Sequence, residues 1–338
     1  MKLRSMAVAA TGLALAGSTL AGTAHAASSD QLTLRVTQTP ITRADAAAVP
    51  NGSCTPGLTR THECQMISTG AVVLVNGKPV GVVRFIVTHE MTLQIKSRKW
   101  SENVSVGKAT ITGNAGGISV GIRVSCGGPC SAVNHIPQGR ILGAPFSGKV
   151  DYTDNIGAFK SHGTATKYEY TFFKPGYIQG SNSYSSASYR CDDMFAKKPG
   201  NKKPRQSPGC VFPQVTPTLT GMGALPNIGP GISAIQSRGG HYGKPGSGHP
   251  LHFLVDETKQ GDNRRAVCRG QRPPTGAAGP SCDEYPFAAS YEGGTALPAA
   301  SRGITWVPVR ENNRQGGILN KFQLQQRVLD RDGFWVQV

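Results

Sequence analysis

From Leu32 to Phe173 the chain alternates β-branched or aromatic residues with polar ones and breaks them with turn residues, a pattern that only paired strands can use. Ala71 to Val75 and Val80 to Val87 flank Asn76-Gly77, and alternation around Asn-Gly is the strongest short-range hairpin signal. Leu32 to Thr37, Lys108 to Thr112, Ile118 to Val124 and the Tyr168, Tyr170, Phe172 series repeat the theme. Strands at this spacing predict an all-β sandwich or barrel-like domain of roughly 150 residues. With 338 residues in total, a second domain is expected after it.

The remaining organisation follows from the ends and the cysteines. Lys2 and Arg4, an apolar run from Met6 to about Leu20, and Ala24-His25-Ala26 predict a secretory leader over residues 1–26. No later run is long and apolar enough for a membrane span. Eight cysteines in a secreted chain favour disulfides, and nearest-neighbour pairing joins Cys54 to Cys64, Cys126 to Cys130, Cys191 to Cys210 and Cys268 to Cys282. The stretch Gly176 to Ser188 reads as a linker or a loop at a boundary, so the division is a leader at 1–26, a β-rich domain at 27–180 whose role is open, and a second domain at 181–338. A formal charge of +17, shared by both halves, makes a polyanion partner plausible. Lys197, Lys198, Lys202, Lys203 and Arg205, enclosed by Cys191 and Cys210, form a basic loop suited to phosphate contact.

Several motifs carry less than they promise. Ser119 sits in a G-x-S-x-G match, but inside an alternating strand and not at the strand-to-helix elbow that motif requires. His241, His249 and His252 have no standard zinc-ligand spacing. No peptidase triad or H-E-x-x-H appears.

Chemistry concentrates in Cys282-Asp283-Glu284-Tyr285-Pro286-Phe287-Ala288 and the Glu292-Gly293-Gly294 that follows. Asp283 and Glu284 before Pro286 could simply start a helix. Downstream, the pattern predicts a strand from Ile304 to Val309, a polar loop from Glu311 to Gly317, a helix from Ile318 to Val328 and a terminal strand from Phe334. Phosphodiester hydrolysis needs a base, a divalent ion and cations for the backbone. Asp283 or Glu284 can supply the base. Asn312, Asn313, Asn320, Gln323 or a carboxylate can supply metal oxygens, and Arg310, Arg314 and Lys321 can hold phosphates.

These runs, with Val307-Pro308-Val309, Asn312-Asn313-Arg314-Gln315-Gly316-Gly317 and Asp332-Gly333-Phe334-Trp335-Val336, resemble the secreted NucA/NucB-type deoxyribonucleases in order and spacing. The resemblance covers the C-terminal part, about Arg190 to Val338. It implies a C-terminal α+β nuclease domain with a His-Me-finger-like ββα-metal core behind the β-rich one, acting as a non-specific DNA endonuclease with Mg²⁺ or Mn²⁺. In it Asp283 takes the place of the usual histidine base, with Glu284 beside it. Asn313 takes the polar-loop asparagine position and Gln323 the helix position facing the metal, with Asn320 one turn away as the alternative ligand. The expected partner is DNA, with an inhibitor protein admitted as a second; the chain is expected as a monomer, with no membrane and no organic cofactor. The competing reading is a non-catalytic secreted protein that binds extracellular DNA or another polyanion.

Overall fold

A computed structural model describes residues 31–46, 54–197 and 204–338. The leader expected at 1–26 and the basic-loop residues Lys198, Lys202 and Lys203 lie outside the described residues.

The alternating half of the chain is β throughout. Its main strands are β1 (Leu32–Pro40), β2 (His62–Val75), β3 (Lys78–Thr92), β4 (Lys99–Val106), β5 (Ser119–Cys126), β6 (Cys130–Asn134), β7 (Phe146–Asp154) and β8 (Thr166–Phe173). An eight-stranded antiparallel sheet runs β1-β2-β3-β4-β7-β6, with two short strands added to β2 and β3. At the β2–β3 turn Asn76 and Gly77 both have positive φ, 51° and 76°, which matches the twist of the flanking strands. A second sheet pairs β8 with β5 and packs on the first. Val73, Val83, Val87, Val104 and Val150 are fully buried from one sheet, and Ile122, Tyr168, Tyr170 and Phe172 from the other. One polar link crosses this core: the His89 ring lies 2.5 Å from Glu102 and 2.6 Å from the Tyr170 hydroxyl.

The Gly176 to Ser188 stretch is not a linker. It forms β9 (Gly180–Ser185), paired along β8. The serine-rich composition suggested a loop, yet Tyr184 stacks on Tyr170 and Gly180 lies so close to the Leu34 carbonyl that a Cβ would sit 2.6 Å from it. The next strands, β10 (Tyr189–Asp192) and β11 (Gly209–Val211), also send Tyr189, Cys191 and Cys210 into the first core, as does Phe212 just beyond. The second core begins only at Leu219.

That second core is built around α1 (Ile228–Gln236), whose Ile228, Ile232 and Ile235 share one buried face. There follow α2 (Glu257–Cys268), the antiparallel pair β12 (Ser281–Tyr285) and β13 (Gly303–Val307), α3 (Val309–Gln325) and β14 (Gly333–Val336). The run expected as a polar loop, Glu311 to Gly317, is therefore the first half of α3, and the alternative that Asp283 and Glu284 start a helix is overturned, because both lie in a strand. No helix among the described residues is long and apolar enough to cross a membrane.

The four disulfides join Cys54–Cys64, Cys126–Cys130, Cys191–Cys210 and Cys268–Cys282. Each links nearest neighbours in sequence.

Candidate active site

Strand β12 lies beside β13 with Asp283 opposite Thr305 and Cys282 opposite Trp306. Pro308 ends the second strand, because it has no N–H for a ladder, and caps α3. The first turn of α3 is fixed from outside: Glu311 accepts hydrogen bonds from Asn227 N and Ile228 N, at 2.8 and 2.9 Å, and from the Asn227 amide at 2.7 Å. A carboxylate there satisfies the free N–H groups of α1 and complements its dipole. Burial pushes the Glu311 pKa up, but these bonds from Asn227 and Ile228 outweigh it and hold the group below its ordinary value. On the other side Asn312 donates to Ser281 Oγ at 2.8 Å, so α3 is fastened to β12 directly.

Neighbouring residues on a strand point to opposite faces, and this separates the two acids. Glu284 lines an open pocket of about 290 Å³ between α2 and α3, with Gln260 and Arg264 from α2 and Asn312, Gln315 and Gly316 from α3. Arg264 Nε is 3.2 Å from Glu284 Oε1, and the Cys268–Cys282 bond ties the end of α2 to the strand carrying the acids. Asp283 lies behind, only 3% exposed, and its Oδ1 has no hydrogen-bond partner among the described residues. Burial first, and then the charge of Glu284, raise its pKa to about 7. The neighbouring Gln315 amide opposes the rise, although its Nε2 also lacks a partner of good geometry. A carboxyl held near neutrality beside an open pocket is suited to proton transfer.

Residues 255–337, which span α2, β12, β13, α3 and β14, match the family model for Deoxyribonuclease NucA/NucB. Residues 255–337 are a NucA/NucB deoxyribonuclease domain. No curated protein and no solved structure matches the chain. The NucA/NucB match leaves the β-rich part and α1 uncovered.

Within this NucA/NucB domain the residues expected to act together are divided among three places. Glu284 lines the pocket and Asp283 lies behind it on the same strand. Asn313, Arg310 and Arg314 are exposed on α3 and do not line it. At 3.6 residues per turn, Arg310, Arg314 and Lys321 form one stripe roughly 170° around the helix from the pocket-lining positions. Asn320 and Gln323 lie farther along α3, where both accept from Arg205 Nη2 at 2.6 and 2.8 Å. Their oxygens are occupied, and Gln323 is about 12 Å along the helix from Gln315. The expected ligand set is thus not gathered at the acids. What sequence reasoning misses is Glu311, Gln315 and Arg264: the first two fall in a stretch that reads as a loop, and no local pattern places Arg264 beside Glu284. His241, His249 and His252 turn to separate partners, the carbonyls of Gln236 and Gly240 and the Glu292 carboxylate.

Gly316 stands out on the pocket wall. It is in the middle of a helix, where glycine costs about 1 kcal/mol relative to alanine, and a Cβ there would meet nothing within 4 Å. Packing therefore does not require it, and its place on the pocket wall leaves the α3 backbone open to whatever enters the pocket. Gly316→Ala is expected to raise the melting temperature while raising KM for DNA several-fold. A more stable variant with unchanged KM would remove this role.

Proposed function

We propose that the NucA/NucB domain is a secreted, sequence-non-specific DNA endonuclease that works with a divalent cation and uses Asp283 as general base. The unpartnered, buried Asp283 Oδ1 behind the Glu284 pocket carries this reading, because a buried oxygen without a hydrogen bond costs stability and a catalytic role is a reason for a protein to retain it. In this reading β12, β13 and α3 are the ββα core of a His-Me-finger-like nuclease, with Asp283 in the histidine position. Disulfides at four places fit an oxidising compartment.

The donors at the pocket suit a hard cation that keeps most of its water. Glu284 offers one carboxylate, and Asn312 and Gln315 offer amide oxygens, whereas no cluster of three His, Cys, Asp or Glu side chains exists among the described residues. Glu284, Gln315 and Asn312 are the residues that would hold such an ion in place of Asn313, Asn320 and Gln323. When bound it neutralises charge on the phosphate oxygens. Arg264 is placed to hold a phosphate next to it, Gln315 to orient a water, and Asp283 to take that water's proton at Oδ1.

One observation favours a second assignment of roles: Glu284, not Asp283, faces the open pocket. Glu284→Gln would then abolish proton transfer where Asp283→Asn would not. Purified protein is expected to convert supercoiled plasmid to fragments with Mg²⁺ or Mn²⁺ and to stop on chelation. Salt-sensitive binding without cleavage under any divalent ion would instead support the polyanion-binding reading.

A further inference from the structure

A cleft of about 510 Å³ opens at the seam between the two cores, on the side of α3 away from the acids. Lys96 enters it from the segment between β3 and β4, Arg205 and Gln206 from the Cys191–Cys210 loop, and Lys321 from α3. None of Lys96, Arg205 and Lys321 forms an ion pair among the described residues, although such pairs are common elsewhere in the protein.

Arg205 is held deliberately by neutral groups. Its Nη2 donates to Asn320 and to Gln323, a side chain only 5% exposed, and its guanidinium lies 5.5 Å from the centre of the Phe195 ring. Gln206 fastens the same loop across the seam by donating to the Leu324 carbonyl at 2.8 Å and the Ile95 carbonyl at 3.2 Å. Amides fix the geometry and leave the charge uncompensated. Three uncompensated cations around one concavity repel one another unless an anion enters.

Lys321 also ends the stripe that begins at Arg310 and Arg314. From Arg310 to Lys321 is roughly 16 Å along the helix, a length over which one strand of B-form DNA carries about five phosphates. We propose that the seam cleft is a second DNA-backbone site, in which Lys96, Arg205 and Lys321 hold phosphates of DNA lying along Arg310 and Arg314. This rests on DNA being the ligand. It gives the β-rich part a share in substrate binding that the NucA/NucB segment alone lacks. The phosphates held there are not those cut at the Glu284 pocket, because the two sites lie on opposite sides of α3.

The test uses the full chain carrying Asp283→Asn, a labelled duplex of about 30 base pairs and anisotropy titrations across roughly 50 to 200 mM salt, a range in which phosphate contacts dominate affinity. Adding Lys96→Gln and Lys321→Gln is expected to weaken binding about tenfold at the low-salt end. The slope of log affinity against log salt should fall by about 1.8, or 0.9 per lost phosphate. Lys96→Arg with Lys321→Arg should restore it, and Lys78→Gln, at the far end of β3, should leave it unchanged. An unaltered slope in the double glutamine variant, or an equal loss in Lys78→Gln, overturns the proposal, as does an absence of duplex binding. Plasmid cleavage by the unmutated chain, run in parallel, reports separately on the nuclease reading.

Discussion

Asp283→Asn is expected to reduce plasmid cleavage by 10²-fold or more, the lower end of what a positioned general base contributes, roughly 10² to 10⁴. It should also melt at a higher temperature than the unmutated protein above pH 7. The second effect follows from the first site's cost. The carboxyl has its pKa raised from 3.8 to about 7 by burial and by Glu284, so folding disfavours its charged form. Below pH 3.8 the group is neutral in both states and contributes no penalty. The penalty grows as pH rises and is complete above about 7, where it reaches about 4 kcal/mol as an upper figure. Asparagine carries no charge and avoids it. The same value sets the pH profile of the unmutated enzyme. Cleavage should rise roughly tenfold per pH unit below 7 and level off above it, since only the ionised carboxylate accepts a proton. A variant that loses stability at pH 8, or keeps near-normal cleavage, contradicts a strained catalytic carboxylate. Full loss in Glu284→Gln with little loss in Asp283→Asn transfers the base to Glu284.

Where sequence and structure agree, local chemistry was sufficient. The alternation from Leu32 to Phe173 reports which side chains reach the core, Asn76-Gly77 supplies the positive φ its turn requires, and short cysteine separations close into short loops. The disagreements come from tertiary contacts that a local pattern does not contain. Glu311-Asn312-Asn313-Arg314-Gln315-Gly316-Gly317 has the composition of a loop, and its inward positions are Glu311 and Gln315 where a helix pattern expects apolar residues. It is helical because Glu311 has the α1 N-terminus to bind and Asn312 has β12. The acids were legible as a pair, but their separation onto opposite faces required knowing that Ser281–Tyr285 is a strand. Asn320 and Gln323 looked like free oxygen donors because nothing in the sequence places Arg205 beside them.

Arg327→Met is expected to lower the melting temperature by roughly 10 °C, through the loss of a buried ion pair worth about 3 to 5 kcal/mol to break. Arg327 has no exposed surface and joins the two cores. Its guanidinium pairs with Asp192 at 2.5 and 2.9 Å and donates to the carbonyls of Ile95 and Ser207 at 2.7 and 2.8 Å, all on the β-rich side. The residue ends α3 at φ 47°, in a position where helices prefer glycine, with Val328 N bonded to the Gln323 carbonyl and Arg327 N to that of Leu324. A left-handed conformation costs a non-glycine residue about 1 to 2 kcal/mol, so an arginine persists there only because its side chain recovers more. Around it Arg60 donates to the carbonyls of Gln326, Phe212 and Val215, and Arg190 grips Asp332 with two bonds at 2.7 and 2.9 Å. Such a seam makes the cores one cooperative unit, so calorimetry should show both melting together. Arg327→Gly separates the contributions: it relieves the backbone but still strands Asp192, and should remain several degrees below the unmutated protein. Arg327→Met combined with Asp192→Leu should recover much of the loss, because no charge is then left unpaired. A glycine variant as stable as the original would show that the ion pair does not hold the seam. A fragment beginning at Tyr189 would also leave Tyr189, Cys191, Cys210 and Phe212 without their core. The nuclease and the β-rich part therefore fold as partners, which is the condition under which Lys96 and Arg205 can keep a fixed place beside α3.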